Sequence, residues 1–594
     1  MDHSATSPVS LLKYQSIFKY IMNLKMLYRI SLSKEFRTVL RQIHFNNVKF
    51  GNLGVSSYIT AKRLSFVPFY ERALQFPERL AIVDRYGKYT YRDILHQSII
   101  LSQRIADLLK ERGKSSQERL SFMCQSDASY IVAKWACWIT QNVAVPLSKV
   151  HPTPQLQYYV ENSQSSAIMV AEEFRDKVEP ISKQLNIPIL EIKHPKDVEL
   201  DEGGAKDLSK LLPETDKNIE KSNALILYTS GTTGPPKGVV LTHENVFVQT
   251  KIPVESWEHT KEDVILNSLP LHHTHGIFYA LLCPLYIGSC VVMLPKFDPI
   301  EVWNELLNIS DEKPQVNCYM AVPTMYVKLI EAYNQQFYGK MTSRVTPEYV
   351  KAICLQKIRL MASGSAAMPQ PVMERWEEIT GHRLLERYGM TEIGMTLSNP
   401  LHGERIPGCV GKPVKGTEVC IRRSEKDSKD GDESGELCVR GNNVFKEYWN
   451  KPKETKESFT EDGWFKTGDT VECKNGIYKI LGRSSTDIIK SGGYKISALD
   501  VERHLLSHSN IRECTVLGVP DDTWGERVAA VIVTKDQSEM PLPELRNWCK
   551  ERMSPYSAPT LLLCLEELPR NALGKVNKKE LLKQIYPEFK KQLI

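Results

Sequence analysis

The pattern of hydrophobic and polar residues changes along the chain. Short apolar runs alternate, up to about residue 363, with segments whose apolar positions recur at helical spacing. This alternation predicts an α/β fold in which mostly parallel sheets are wrapped by helices. The runs that we interpret as strands are 80–84, 224–230, 291–294, 316–322 and 357–363.

The pattern becomes richer in short strands after about residue 417. Runs at 418–423 and 435–441 and a hairpin-like stretch at 469–483 predict a β-rich subdomain. The chain beyond residue 483 reads as an α+β unit of about 110 residues, which is long enough to fold as a domain. We therefore predict an N-terminal domain at 66–482 and a small C-terminal domain at 483–594.

Positive charge is concentrated at the N-terminus. Residues 1–65 contain ten Lys and Arg but only two acids, Asp2 and Glu35. A basic, acid-poor leader of this kind resembles a mitochondrial transit peptide, which predicts import into the mitochondrial matrix. The alternative interpretation is an uncleaved extension.

Composition excludes several classes of function. Without the leader, the net charge of +6 becomes −2, so no global basic field indicates a nucleic-acid partner. The thirteen cysteines form no CxxC pair, which argues against zinc-ribbon sites and favours a reducing compartment. The uncharged stretch 276–295 is interrupted by Gly and Pro, and we interpret it as a buried helix–turn–strand unit rather than a membrane span.

The strongest chemical signal is the loop that follows the strand ending at Tyr228. Its glycines let backbone N–H groups approach an anion closely, its hydroxyl groups add donors, and its lysine adds positive charge. A plain glycine-rich turn does not require so many donors, and the P-loop motif fails because Lys237 is followed by Gly238. We therefore predict phosphate binding by Thr229, Ser230, Gly231, Thr232, Thr233, Gly234 and Lys237.

The loop sequence resembles the signature of adenylate-forming enzymes, which include acyl-CoA synthetases, luciferases and peptide-synthetase adenylation domains. Four further motifs of that family follow in the family's order: LERYGMTEIG, WFKTGD, LGRSSTDIIKSGGYKIS and PRNALGKVNKKEL. The resemblance implies a large N-terminal domain and a mobile C-terminal domain. It also implies an enzyme that activates a carboxylic acid with ATP, releases pyrophosphate and passes the acyl group to coenzyme A.

The resemblance assigns roles to individual residues. Thr391 is similar to the family's phosphate-contacting hydroxyl, and Glu392 to its Mg²⁺ ligand. Asp469 and Arg483 correspond to the ribose contacts. The pocket for adenine and the acyl group would be lined by Gly364, Ser365 and Ala366, and Tyr388 would be a further ATP-binding residue.

Lys575 resembles the catalytic lysine that reaches both the substrate carboxylate and the α-phosphate during adenylation. The resemblance places the pivot of the C-terminal domain near Ser485, although the sequence is one residue longer there than the family pattern. We expect the neighbouring Lys578 and Lys579 to be solvated.

Other strings resemble malonyl-CoA synthetases, among them LPLHHTHG, AVPTMYVKL and RLMASGSAAMP. A buried second carboxylate requires a partner, because the desolvation cost of an unpaired charge is large. Bacterial malonyl-CoA synthetases carry Arg where this chain has Lys328, so we predict that Lys328 binds the carboxylate with Ser365 and His273; His272 and His275 lie nearby in sequence. A surface position is the alternative for Lys328.

These observations predict a malonate–CoA ligase that uses ATP, CoA and Mg²⁺, with no nucleic-acid partner and no transmembrane segment. Methylmalonate is a possible second substrate, and the oligomeric state, monomer or homodimer, stays open. The first alternative is a ligase for short- or medium-chain monocarboxylates. A luciferase-like oxygenase, an adenylation module serving a carrier protein and a non-catalytic nucleotide-binding protein are further alternatives.

Overall fold

The computed structural model describes residues 64–197, 207–229, 235–309, 312–336, 345–423, 434–492, 494–570 and 576–593. Except for residues 64 and 65, the predicted leader lies outside these ranges.

The strands of the described residues are β1 (Leu80–Asp84), β2 (Gly87–Thr90), β3 (Arg119–Met123), β4 (Val143–Pro146), β5 (Ala167–Val170), β6 (Ile189–Glu191), β7 (Asn223–Thr229), β8 (Lys237–Thr242), β9 (Val264–Asn267), β10 (Cys290–Met293), β11 (Cys318–Ala321), β12 (Leu360–Ser363), β13 (Leu385–Met390), β14 (Gly394–Ser398), β15 (Lys412–Pro413), β16 (Glu418–Arg422), β17 (Ser434–Arg440), β18 (Glu447–Tyr448), β19 (Phe465–Lys474), β20 (Ile477–Arg483), β21 (Ile488–Ser491), β22 (Tyr494–Ser497), β23 (Ile511–Asp521), β24 (Gly525–Thr534) and β25 (Leu561–Cys564).

The α-helices are α1 (Phe69–Ala73), α2 (Tyr91–Glu111), α3 (Ala128–Ile139), α4 (Thr153–Asn162), α5 (Arg175–Leu185), α6 (His243–Ser256), α7 (Cys283–Ile287), α8 (Pro299–Leu307), α9 (Pro323–Gln336), α10 (Pro347–Lys357), α11 (Gln370–Thr380), α12 (Pro452–Glu457), α13 (Ala498–Leu505), α14 (Leu542–Lys550) and α15 (Lys578–Leu593). A π-helix spans His275–Leu282, and short 3₁₀ turns occur at Glu172–Phe174, Pro195–Asp197, Leu208–Leu211 and Ile219–Lys221.

Two mixed sheets form the core of the larger part of the chain. The first has the strand order β15-β14-β13-β12-β11-β9-β10-β1-β2, and the second has the order β18-β8-β7-β4-β3-β5-β6. The inner strands of both sheets pair in parallel, as the apolar runs predict. Every residue of β11 and β12 is buried, as expected for strands that are covered on both faces.

The remaining strands form two further sheets, which are largely antiparallel. The sheet β16-β17-β19-β20 is the predicted β-rich part, and β20 ends at Arg483, where we place the domain boundary. The last sheet contains β21 to β25 and packs against α13, α14 and α15. The predicted fold class, α/β with a β-rich part and a small α+β C-terminal unit, is confirmed.

The uncharged stretch 276–295 is a core segment, as predicted. It contains the end of the π-helix, then α7 and β10, and their residues are buried. Among the described helices, none combines the length and the apolar character that a membrane crossing requires.

The topology gathers one part of the predicted site at one edge of the first sheet. Strands β13, β12, β11 and β9 are parallel neighbours, so their carboxyl ends meet at the same edge. The carboxyl end of β13 contains Tyr388, and the segments that follow the four strands contain His272, His273, His275, Lys328, Gly364–Ala366 and Thr391–Glu392. Ligands of open α/β sheets bind at such edges.

Candidate active site

The predicted phosphate loop is held at both ends by a hairpin. Strands β7 and β8 pair antiparallel with Thr229 opposite Lys237, and the Thr229 hydroxyl donates to the Lys237 carbonyl at 3.4 Å. Thr242 ends β8 and caps α6 through a reciprocal pair of hydrogen bonds with Asn245. The predicted phosphate-binding residues Ser230, Gly231, Thr232, Thr233 and Gly234 lie outside the described residues.

Glu392 lies beside this hairpin in a buried position. Its Oε1 accepts a hydrogen bond from the Tyr448 hydroxyl at 2.8 Å, and the Lys237 ammonium stands 4.9 Å from the centroid of the Tyr448 ring. Burial raises the pKa of Glu392, and the Tyr448 hydrogen bond only partly offsets this effect. Thr391 precedes Glu392 in the same turn and is half-buried. Mg²⁺ can take a single carboxylate ligand from the protein when phosphates and waters fill its other coordination positions. The buried Glu392 carboxylate, near Lys237, fits this role.

The predicted ribose contacts are connected to one another. Asp469 and Arg483 face each other across β19 and β20, and the Arg483 Nε stands 3.0 Å from Asp469 Oδ1. The Tyr388 hydroxyl donates a short hydrogen bond to Asp469 Oδ2. Burial acts to lower the pKa of Arg483, but Asp469 and the other neighbouring acidic groups outweigh it, so the pKa rises. The structure thus brings together three residues that the sequence separates by almost a hundred positions.

The segment after β12 lies against the neighbouring strand β13. A Cβ on Gly364 would stand 2.6 Å from the Arg387 Nε, so only glycine leaves room for that arginine. Ser365 has a positive φ of 70°, an unusual conformation for a non-glycine residue, and its side chain and that of Ala366 are exposed. Backbone strain of this kind is concentrated at functional sites.

The histidine predicted to assist the substrate is not the one that contacts Ser365. His275 Nδ1 lies 3.3 Å from the Ser365 hydroxyl, whereas the half-buried His273 packs its ring against His272 with centroids 4.0 Å apart. Burial lowers the pKa of His275 well below its usual value, and the positive charge of Arg387 adds to this shift. Both effects favour the neutral form of the His275 imidazole.

Lys328 lies on the exposed stripe of α9 that it shares with Thr324 and Glu331, while the buried face of the helix contains Tyr326 and Leu329. The structure thus places Lys328 at the solvent-facing surface of the helix. Its predicted role as a substrate ligand stays a prediction.

Arg387 was not identified from the sequence. Its side chain is 5% exposed, its Nε and Nη2 have no hydrogen-bond partner among the described residues, and its Cζ stands 4.3 Å from the centroid of the Tyr279 ring. Burial lowers its pKa from the usual value. The signal in the sequence is the pair of charged residues, Glu386 and Arg387, in a strand motif beside Tyr388, because buried charged side chains are unusual.

The predicted catalytic Lys575 lies outside the described residues. Ser485, the predicted pivot, is exposed in the turn between β20 and β21. The expectation that Lys578 is solvated is wrong. Its ammonium lies 2.6 Å from Asp487 and 2.7 Å from Glu502, and two carboxylates converging on one amine hold it against β21 and α13.

Comparison with known proteins gives consistent results. The family described as AMP-binding enzyme matches residues 69–449, and its C-terminal domain matches residues 500–575. The chain is 47% identical over 541 residues to "Malonate–CoA ligase ACSF3, mitochondrial" of Mus musculus, an alignment that covers 88% of this chain and 91% of that protein.

Two solved structures extend this similarity. ATP-bound MatB from Rhodopseudomonas palustris superposes with a TM-score of 0.74 at 29% identity, covering 88% of this chain and 99% of that one. A malonyl-CoA ligase with methylmalonyl-CoA and AMP bound superposes with a TM-score of 0.58 at 32% identity, covering 83% and 97%.

Proposed function

The chain belongs to the AMP-binding enzyme family, and from this premise we propose that it is a malonate–CoA ligase. It converts malonate, ATP and CoA into malonyl-CoA, AMP and pyrophosphate through a malonyl-adenylate. The observation that carries the proposal is the identity of 46–47% over 88% of the chain with relatives named malonate–CoA ligase. Methylmalonate is a second candidate substrate.

The reaction divides a difficult acyl transfer into two easier steps. A carboxylate oxygen of malonate attacks the α-phosphorus of ATP, and pyrophosphate leaves. The thiolate of CoA then attacks the acyl carbon, and AMP leaves with the oxygen that came from malonate. No cysteine of the chain has a covalent role in this scheme.

Residues of β13 and of the β7–β8 hairpin hold the nucleotide. The loop 229–238, which includes Lys237, binds the phosphates, and the Thr391 hydroxyl is a further donor. Asp469 accepts the ribose hydroxyls, and Arg483 pairs with its carboxylate and orients it. Lys575 stabilises the negative charge that develops as the carboxylate meets the α-phosphate.

Mg²⁺ fits this site through Glu392. When bound, the ion neutralises charge on the ATP phosphates. The Tyr448 hydroxyl orients the Glu392 carboxylate for this role, and the buried position strengthens the attraction to a cation.

On the acyl side, the predicted ligands for the second carboxylate are Ser365, His273 and Lys328. Gly364 and Ala366 complete the backbone that lines the pocket. The exposed position of Lys328 favours one alternative, a ligase for short- or medium-chain monocarboxylates.

An acid panel separates the two functions. Pyrophosphate release is measured with malonate, methylmalonate, butyrate and octanoate, with and without CoA, on protein that begins near Leu64. The proposed function predicts the highest kcat/KM with malonate and AMP release that depends on CoA. A preference for butyrate or octanoate would establish the alternative instead.

We also propose that the protein acts in the mitochondrial matrix. The basic leader 1–65 and the word "mitochondrial" in the names of the animal relatives support this location. Import of the full chain into isolated mitochondria, followed by protease protection of the matrix fraction, tests it. The protein works as a monomer or a homodimer, which light scattering distinguishes.

A further inference from the structure

We propose that Lys578 is a positioning residue for adenylation, which ties the start of α15 to the turn that holds Arg483. The start of α15 lies three positions after the predicted catalytic Lys575 in the sequence. This inference rests on the proposed function, and it assigns a role to a residue that the scheme above does not use.

Two carboxylates bind the Lys578 ammonium in a largely buried position. Its Nζ lies 2.6 Å from Asp487 Oδ1 and 2.7 Å from Glu502 Oε1, and only 15% of the lysine side chain is exposed. Burial acts to lower the pKa of Lys578, but Glu502 and Asp487 outweigh it, so the pKa rises. The amine is therefore a cation held between two acids rather than a solvated surface charge.

The stability of α15 itself does not explain why a lysine stands at this position. Lys578 is the first residue of the helix, where the helix dipole disfavours a positive charge. The two acids that bind it come from distant segments, since Asp487 precedes β21 and Glu502 lies in α13. The position of this lysine is thus explained by the segments that it joins.

Asp487 connects the amine to the predicted pivot near Ser485. Its other oxygen, Oδ2, accepts a hydrogen bond from the backbone N–H of Arg483 at 2.9 Å, and its own N–H donates to the Arg483 carbonyl at 2.8 Å. A Cβ on Gly482 would stand 2.3 Å from the Cβ of Asp487, so this close approach requires glycine. One carboxylate therefore binds Lys578 with one oxygen and the turn at the pivot with the other.

Arg483 extends this connection to the predicted ribose contact. Its Nε stands 3.0 Å from Asp469 Oδ1, and its Nη1 donates to the Thr467 carbonyl at 2.6 Å. Contacts thus run without a break from the first residue of α15, through Asp487 and Arg483, to Asp469. A shift of about 1 Å in a reacting group can reduce a rate about 100-fold, so this connection can control how well Lys575 acts on the nucleotide.

Glu502 provides a control within the same cluster. It binds Lys578 at nearly the same distance as Asp487, but its Oε1 also accepts a hydrogen bond from the Val516 N–H of β23 at 2.8 Å. Its carboxylate therefore connects α15 to β23, whereas that of Asp487 connects α15 to the pivot. Loss of either acid weakens the binding of Lys578, but loss of Asp487 also releases the backbone of Arg483.

The test measures the two half-reactions separately. Exchange between pyrophosphate and ATP with malonate reports adenylation, and CoA-dependent release of AMP from synthetic malonyl-adenylate reports thioester formation. We expect Lys578→Met to reduce the exchange rate about 30-fold and the thioester step by less than about threefold. Lys578→Arg keeps the charge, so its exchange rate should fall by less than about fivefold. The matched control Lys583→Met, at an exposed position of the same helix, should leave both rates unchanged.

Two acid variants separate positioning from stability. Asp487→Asn and Glu502→Gln each remove one charge from the cluster and should lower the melting temperature, but only Asp487→Asn should reduce exchange selectively, by about 10-fold. The inference is overturned if Lys578→Met or Asp487→Asn reduces both half-reactions equally, or if Glu502→Gln has the same selective effect as Asp487→Asn.

Thermal melting with ATP shows whether Lys578→Met is folded, and if it is not, the pair of acid variants decides. A wild type that shows no exchange with malonate would overturn the proposed function itself. Exchange with malonate that is independent of Lys578 and of Asp487 overturns this inference alone.

Discussion

The two faces of β13 differ in how their charges are satisfied. On the Tyr388 face, Asp469 is already bonded to the tyrosine hydroxyl and to Arg483. On the Arg387 face, the Nε and Nη2 of the buried guanidinium have no hydrogen-bond partner among the described residues. The contrast lies between adjacent residues of one strand.

The difference indicates which part of the site acts on every acid substrate alike and which part can distinguish one class of partner from another. A network whose charges are paired in advance is preorganised, and it treats every acyl substrate alike because ATP is common to all of them. An unpaired buried charge is complementary to only one class of partner. Substitutions on the Tyr388 face should therefore affect all acids equally.

The largest effect is expected from Lys575→Ala. Loss of this lysine should reduce the rate of adenylation about 1,000-fold for malonate and for its monomethyl ester alike, because it removes charge stabilisation at the reacting phosphate. Isotope exchange between pyrophosphate and ATP measures this step. The matched control is Lys579→Ala, which should have little effect on the exchange rate. If Lys575→Ala reduced the rate with malonate but not with its ester, the assignment of Lys575 to a step common to all acids would be wrong.

Asp469→Asn should have the next largest effect. The variant loses the charge that pairs with Arg483 and the acceptor for the ribose, so kcat/KM for ATP should fall about 100-fold. The fall should be equal whichever acid is supplied, as judged by initial rates at saturating acid. A change in the malonate-to-ester ratio would contradict the assignment of this face to the nucleotide.

Lys134, in α3, is a second buried cation that no motif of the candidate site includes. Its ammonium has no hydrogen-bond partner among the described residues, and burial lowers its pKa to about 7. Between pH 7 and 10 the unfolded chain retains a proton on this amine that the folded chain releases, so folding becomes more favourable as the pH rises.

We therefore expect Lys134→Met to stabilise the fold by about 4 kcal/mol at pH 7, with the gain disappearing towards pH 10. Activity with malonate should be unchanged. Denaturant unfolding at several pH values, with the exposed Lys110→Met as the control, measures this effect. A gain that does not depend on pH would show that packing rather than charge is responsible.

Tyr388→Phe should have the smallest effect. The variant removes one hydrogen bond to Asp469 but leaves the Arg483 contact, so the KM for ATP should rise about fivefold. An equal rise with malonate and with its ester is expected. A larger loss than that of Asp469→Asn would mean that the tyrosine has a role beyond orienting the carboxylate.

Local patterns were sufficient to predict the architecture of the chain. The apolar run at 80–84 coincides with β1, and the runs around β11 and β12 mark strands that pair in parallel. Such strands are recognisable because both faces are buried. The π-helix that positions His275 was not predicted, because its apolar residues continue on every side and give no periodicity.

The site was only partly predictable, because its charges depend on contacts between distant segments. The spacing of Thr324, Lys328 and Glu331 could have indicated an exposed helix face from the sequence alone. The isolation of Arg387, in contrast, depends on which side chains fail to reach it from other strands. The ion pairs of Lys578 with Asp487 and Glu502 likewise form only when the C-terminal sheet is assembled.

The central claim, that this chain activates malonate by forming an adenylate, has a direct test. Malonate labelled with ¹⁸O in its carboxylates is converted in the presence of ATP, Mg²⁺ and CoA, and the products are analysed by mass spectrometry. The account predicts one labelled oxygen in AMP for each malonyl-CoA formed, and none in pyrophosphate. Malonyl-CoA formed without label in AMP, or label found in pyrophosphate, would contradict it.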